Sequence, residues 1–284
     1  MNTDEQPYAA WLGGSEVVPD WIAPAPLQAA AATFDDVETG FQSGSAVPPL
    51  WHWFYFLPKA PQSRIGDDGH PARGGFLPPI ALPRRMFAGA RLTFTRPLVV
   101  GQPAERRGTI RAISERSGRS GSLVFVTVSY TISQNGQTCI EEEQDIVYRE
   151  ADPTPVPPPQ AIDLPPAEGA LVRTITPDPV LLFRFSALTF NGHRIHYDRP
   201  YATGVEGYPG LVVHGPLTAV LLLELVRRNI RRPVRAFSFR GLLPLFDLAP
   251  FRLTGAGDGE TITLEALRCD GKAAMQAEAT LGPA

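Results

Sequence analysis

The chain of 284 residues sets 26 lysines and arginines against 29 aspartates and glutamates, for a formal net charge of −3, and 43% of it is hydrophobic. That length builds one large or two ordinary cores, and the absence of a basic stripe argues against a nucleic-acid partner. Cys139 and Cys269 lie far apart in no CxxC pair, which suggests a reducing compartment and neither a disulfide framework nor a zinc site.

The first residues, MNTDEQPYAAW, are acidic and lack a basic-then-apolar leader pattern, so a cytoplasmic protein is expected. Residues 1–20 read as an irregular lead-in. Pro24 to Phe34 (PAPLQAAAATF) predicts a short helix with proline at its start. Pro48 to Leu57 (PPLWHWFYFL) is dense in aromatics, which fill a core or line an apolar slot. Residues 58–85 hold many Gly and Pro and no periodicity, which makes a functional loop plausible. From Arg91 the pattern turns to strands: ARLTFTRPLVV, RRGTIRAISERSG, SLVFVTVSYTIS and TCIEEEQDIVYRE alternate β-branched and aromatic residues between breaks. Gln134-Asn135-Gly136-Gln137 is a hairpin signal between the last two. Residues 151–166 (ADPTPVPPPQAIDLPP) are Pro-rich and read as a linker. It separates an N-terminal domain, 1–150, from a C-terminal one, 167–284.

The second half begins with Val180 to Ser186 and a polar segment. It holds three of the five histidines, His193, His196 and His214. Pro216 to Asn229 (PLTAVLLLELVRRN) predicts a helix with Arg227 and Arg228 in its last turn. Apolar residues run nearly all round it, which predicts burial on most sides. Its apolar run, Leu217 to Val226, is interrupted by Glu224 and too short to cross a bilayer, so no membrane partner is expected. Strand patterns follow: VRAFSFRGLLPLF, APFRLTGAGDG, ETITLEALRCDG and KAAMQAEATLG. A sheet wrapping a central helix accommodates both patterns. The first half repeats that order with a weaker helix, so an α+β architecture of two such units is expected.

Asn191-Gly192-His193-Arg194-Ile195-His196-Tyr197-Asp198 resembles the hydratase motif of the MaoC-like enoyl-thioester hydratases, roughly Asp-x-Asn-Pro-(Ile/Leu)-His-x-Asp. His196, Asp198 and the preceding Ile195 match in spacing. Tyr201-Ala202 and His214-Gly215 resemble further elements of that family. Asn191 stands where the family has its catalytic Asp, and His193-Arg194 replaces Asn-Pro. FNxHRIHYD, with GGFLPPIALPRRM and EEQDIVYR in the first half, resembles the subgroup of mesaconyl- and itaconyl-CoA hydratases and type-2 3-hydroxyacyl-thioester dehydratases. The resemblance implies a double hotdog, each antiparallel sheet wrapped around a helix. It implies reversible hydration of an α,β-unsaturated acyl-CoA to a 3-hydroxyacyl-CoA, with the thioester as substrate and no cofactor. A short or dicarboxylic acyl group fits the subgroup. A homodimer and pairing of two hotdogs within one chain both stay open.

Hydration needs a base for water at C3, a proton donor at C2, and hydrogen-bond donors for the charge that builds on the thioester oxygen. His196 is the expected base. Asn191 cannot titrate but can orient the water, and His193 is a candidate assistant. The helix starting at Pro216 offers free N–H groups and a positive dipole end, and proline itself has no N–H, so the Gly215 amide is the expected oxyanion donor. Arg84, Arg85 and Arg194 are candidates for a substrate carboxylate or CoA phosphates, with His214 and Tyr201 as further binding residues. Arg116 and Arg119 are phosphate candidates on a hairpin end. Asp198 is expected to bond backbone or to orient a histidine. His193, His196 and Asp198 have the residue types of a metal set, but the charge of Arg194 falls among them and no metal is expected. A hotdog thioesterase would need Glu206 or Asp198 as its carboxylate, and a non-catalytic acyl-thioester module is the third reading. The Gly-rich tract lacks a GK[ST] ending and no GxSxG elbow occurs, so neither a P-loop nor a serine hydrolase is supported.

Overall fold

The computed structural model describes residues 8–36, 39–118, 121–151, 154–167, 171–257 and 259–283. The N-terminal half gives strand β1 (Ser15–Trp21), helix α1 (Pro24–Phe34) and strands β2 (Arg84–Phe94), β3 (Pro103–Gly118), β4 (Gly121–Gln134) and β5 (Gln137–Arg149). The C-terminal half gives β6 (Leu171–Ile175), α2 (Pro179–Thr189), α3 (Arg199–Gly204), α4 (Gly215–Asn229), β7 (Val234–Gly241), β8 (Phe251–Ala256), β9 (Thr261–Leu267) and β10 (Ala273–Leu281). The described residues of the Pro-rich segment between the halves carry neither helix nor strand.

All ten strands join one antiparallel sheet in the order β1-β3-β4-β5-β2-β7-β10-β9-β8-β6. Each half contributes five strands in the same internal order: first, third, fourth, fifth, second. The halves meet where β2 pairs β7, Gly89 against Arg240 through Thr93 against Ala236. Gly89 sits beside a register shift, and a Cβ there would stand 2.4 Å from the Phe239 carbonyl oxygen. Only glycine lets the two backbones approach this closely. The Asn135-Gly136 turn joins β4 to β5 with both φ values positive, 51° and 71°, as a two-residue hairpin of the right twist requires.

Helix α4 is the element each neighbour packs against. Its residues from Leu217 to Val226 are all buried, and it contacts β2, β6, β8, β9 and β10. Glu224 within it is satisfied by Trp51 Nε1 at 3.0 Å and Arg227 Nε at 2.9 Å, which offsets the cost of burying a carboxylate. Helix α1 is shorter and packs on α2 and on the aromatic turn Trp51–Phe54. Phe34, Trp51, Phe54 and Phe185 form one ring cluster there. The architecture is the expected double hotdog of class α+β, with α4 as the more deeply sheathed helix.

Four elements depart from the sequence reading, one of them β6, a short strand in a stretch for which none was expected. The irregular lead-in ends in a strand: β1 pairs with the edge of β3 from Ser15 against Thr109 to Trp21 against Pro103. It buries no face, alternating only exposed and half-buried residues, and Pro19 is tolerated because the strand lies at an edge. Val180 to Ser186 belongs to helix α2. Asp178 caps it by accepting from the Leu181 N–H at 2.7 Å, with Pro179 in its first turn. The short helix α3 likewise had no periodic signal.

Candidate active site

The chain between α2 and α4 is folded by local polar bonds. Helix α2 stops at Phe190, whose φ is +50°, and the Asn191 N–H returns to the Ser186 carbonyl at 2.8 Å. The Asn191 side-chain oxygen accepts from the His193 N–H at 3.0 Å, an Asx turn that aims the next residues. Arg194–His196 form a 3-10 turn. Asp198 then caps α3, accepting from the Tyr201 N–H at 3.1 Å.

These bends collect imidazoles. His196 Nδ1 lies 2.7 Å from the Val212 carbonyl oxygen. A carbonyl only accepts, so Nδ1 carries the hydrogen and Nε2 holds the lone pair. The His196 ring stacks on His214, centroids 3.6 Å apart and planes at 20°. His214 directly precedes Gly215, so the ring of His196 stands at the mouth of α4. His193 meets His196 edge-on at 5.4 Å. His214 is fully buried and Ser186 Oγ lies 2.9 Å from its Nε2.

Burial keeps these rings neutral. It pulls His196 down to about 4, against the bond to Val212 and with help from the charge of His70. It pulls His193 to about 2, reinforced by His70 and His196. His214 falls well below its usual range by burial and by the other two rings.

A cleft of about 1360 Å³ opens beside this row, lined by both halves of the chain; Arg85, Asn191, His193, His196 and Gly215 all face it. Gly215 leaves the α4 N-terminus accessible: a Cβ there would find only the Phe87 carbonyl oxygen, at 3.8 Å. The first N–H groups of a helix have no acceptor within it, and a thioester oxygen in the cleft would meet them.

The other binding candidates are placed differently. Arg84 also borders the cleft, but its guanidinium is paired with Glu206: Nε stands 3.1 Å from a carboxylate oxygen and an Nη donates to the Glu206 carbonyl at 2.8 Å. Arg194 is turned to Asp198 at 2.8 Å, to the Asp67 carbonyl at 3.0 Å, and over the Tyr201 ring at 4.1 Å. Arg194 and Tyr201 are outside the cleft lining, because the i,i+4 pair with Asp198 draws the guanidinium back onto α3. Arg116 lies over the Phe125 ring at 5.0 Å, and Arg119 lies outside the described residues. The set His193, His196 and Asp198 is not assembled, since Asp198 serves Arg194 and the α3 cap.

Two acidic groups escaped the sequence reading. Glu142 lines the first half of the cleft and is buried among His52 Nε2 at 3.0 Å, Trp53 Nε1 at 3.0 Å and Gln144 Nε2 at 2.7 Å. Burial alone would raise its carboxyl, but these donors outweigh it and hold it below the usual range. Asp68 comes from the long Gly/Pro loop, with its side chain 2.9 Å from His70 Nδ1. The His70 ring lies against His193, centroids 4.1 Å apart. Four imidazoles from both halves thus stand in contact, and an uneven loop without periodicity gave no sign that it ended there.

An antiparallel double hotdog whose cleft presents a neutral, tautomer-fixed imidazole beside a helix N-terminus suits the addition or removal of water at an acyl thioester. The family model for hydroxyacyl-thioester dehydratase type 2 matches residues 50–247. The chain is 60% identical over 275 residues to mesaconyl-C(4)-CoA hydratase from Chloroflexus aurantiacus, covering 97% of this chain and 98% of that protein. It is 28% identical to the mitochondrial hydroxyacyl-thioester dehydratase type 2 of Schizosaccharomyces pombe, covering 85% of this chain and 90% of that protein. A solved MaoC-like dehydratase superposes with a TM-score of 0.69 at 15% identity, over 97% of this chain and 99% of that one, and attests the shared fold. The chain belongs to the hydroxyacyl-thioester dehydratase type 2 family and is a hydro-lyase. No helix among the described residues is long and apolar enough to cross a membrane.

Proposed function

We propose that the protein hydrates a short α,β-unsaturated acyl-CoA carrying a free carboxylate, of the mesaconyl-C4 type, and dehydrates the 3-hydroxyacyl product in reverse. The observation that carries this reading is the bond from His196 Nδ1 to the Val212 carbonyl. It leaves Nε2 as the acceptor facing a cleft that also holds the first amide of α4.

In the hydration direction His196 Nε2 takes a proton from water as its oxygen bonds C3. The π pair of C2=C3 moves toward C2 and onto the thioester oxygen. The Gly215 N–H and the positive end of α4 hold that charge. Asn191 keeps its amide NH₂ for the attacking water, since its oxygen is committed to the His193 N–H. Arg85 is the residue assigned to the acyl carboxylate. It lines the cleft, bears its charge toward His70 and His193, and bonds Tyr148, whereas Arg84 and Arg194 have carboxylate partners. No step in this sequence calls on a cofactor.

The thioesterase reading loses ground at its carboxylates. Glu206 is paired with Arg84 and Asp198 with Arg194, and Glu142 is bonded to three donors. The experiment is a panel of crotonyl-, mesaconyl- and itaconyl-CoA with the purified chain. Loss of the conjugated enoyl absorbance without release of free thiol is the expected result. Thiol release at the same rate would reverse the reading.

A further inference from the structure

The reaction needs a second titrating group at C2, and residue 191, where the motif has a carboxylate, is an asparagine. We infer that His70, held by Asp68, supplies it: the N-terminal half of the chain contributes the acid–base residue that delivers the C2 proton in hydration and removes it in dehydration. This rests on the function proposed above.

Asp68 grips His70 twice. One carboxylate oxygen lies 2.9 Å from Nδ1 and the other accepts the His70 backbone N–H at 2.9 Å. With Nδ1–H directed to the carboxylate, Nε2 is the atom left to exchange a proton. His70 faces the same cleft as His196, with the His193 ring between them in contact with both. Among the four contacting imidazoles, His70 is the one bonded to a carboxylate, while Val212 and Ser186 give His196 and His214 neutral partners. Position 70 is therefore the one of the four where an imidazolium would have a bonded counter-charge. Burial is the largest influence on His70 and leaves it below the ordinary imidazole range; the bond and charge of Asp68 favour its proton, while Arg85, Arg73 and His193 oppose it.

The placement is built into the backbone. Gly69 has φ +88°, and a Cβ on it would stand 1.8 Å from the Gly192 carbonyl oxygen. The Arg194 N–H donates to the Asp68 carbonyl at 2.9 Å, and Arg194 Nη1 to that of Asp67 at 3.0 Å. The loop bearing the pair is thus clamped onto the turn bearing His193 and His196. Burial works to raise the Asp68 carboxyl, yet its bonds to His70 hold it far below the usual carboxylate range.

The step balances. A water O–H bond breaks, its proton goes to His196 Nε2, and oxygen bonds C3. The Nε2–H bond of His70 breaks as that proton bonds C2, which accepts the displaced π pair. Exchange with cleft water then returns one proton from His196 and restores one to His70. Asp68, His70 and His193 also bring ligand atoms within 4.8 Å of one another. The His70 and His193 rings are tilted by 37° with centroids 4.1 Å apart, and the EDTA and zinc arm of the test below addresses a metal at this set.

The test uses the full chain and the enoyl-CoA it hydrates fastest. His70→Gln is expected to lose roughly 100-fold or more in kcat with KM within threefold, and to lose in parallel the exchange of the product's C2 hydrogen in D₂O. Asp68→Asn removes the charge that favours protonated His70, so the alkaline limb of kcat/KM for hydration moves to lower pH. A purely structural Asp68 would lower the rate at every pH and leave the limb in place. Should His70→Gln fail to fold, the limb of Asp68→Asn decides alone. Wild-type rates in His70→Gln, an unmoved limb in Asp68→Asn, or activity lost to EDTA and restored by zinc would each overturn the inference while wild-type hydration leaves the proposed function standing. A wild type that hydrates none of the thioesters overturns both.

Discussion

The His196 imidazole gives its Nδ1 hydrogen to the carbonyl oxygen of Val212 at 2.7 Å. That bond joins the turn after α2 to the segment entering α4, so the tautomer of the base and the position of the helix mouth are set together. Burial holds the ring at about 4, and Nε2 is therefore free throughout the neutral range.

The acid side of the pH profile follows. An ordinary imidazole would lose its base function below about 6.5. Here the acid limb of kcat/KM for hydration is expected near 4, with little loss between pH 7 and 5. Rates taken within seconds of a pH jump from neutral stock measure it before acid unfolding intervenes. A limb near 6.5 would mean that the ring is solvated in the working enzyme.

The same burial makes the fold acid-sensitive. Unfolded imidazoles bind protons from about pH 6.5 downward, whereas folded His193, His196 and His214 resist protonation to about 2, about 4 and well below the usual value. The unfolded state thus holds more protons in this window, so stability is whole above 6.5 and is lost as pH falls toward the folded values. The slope approaches ~4 kcal/mol per pH unit for three such groups. Urea midpoints at pH 7, 6 and 5 test this, and His193→Gln should flatten the dependence by roughly a third.

Most strands and the principal helix were legible in the sequence because their periodicity reports burial directly. Strand β4 alternates half-buried and buried residues through its length, and α4 is apolar all round because it is buried all round. Strand β1 was hidden because an edge strand with no buried face has no apolar alternation to display. Helix α2 was not read from the sequence because Ser186, which bonds His214, and Thr189, which bonds back to the Phe185 carbonyl, give its end a polar cast. Within the site, the spacing around His196 and the glycine at the start of α4 could be read locally. The Asp68–His70 pair could not, since its meaning depends on Gly69 packing against Gly192 in the other half of the chain.

Loop docking has its own test in Gly69→Ala. The added methyl meets the Gly192 carbonyl oxygen at 1.8 Å, in backbone of φ +88°, so the loop is displaced rather than compressed. The stability cost is expected at about 1–3 kcal/mol. The fall in kcat/KM is expected to be larger in proportion, roughly 100-fold, because shifts of about 1 Å in a positioned group carry that penalty. Unfolding curves and steady-state kinetics on one preparation separate the two.

Arg85 divides substrates by charge. Arg85→Gln should lower kcat/KM for mesaconyl-CoA roughly 10- to 100-fold, the worth of a charged hydrogen bond, and leave crotonyl-CoA within threefold. Equal losses on both would assign the guanidinium to CoA or to the histidine row instead.

The central claim is that a neutral imidazole at position 196 is the base for water. The most direct measurement is kcat/KM of His196→Gln for hydration of the best enoyl-CoA, with folding verified by an unchanged thermal midpoint at pH 7.5. A fall of at least ~1,000-fold, with product still binding, is the predicted result. Turnover within tenfold of wild type would contradict it.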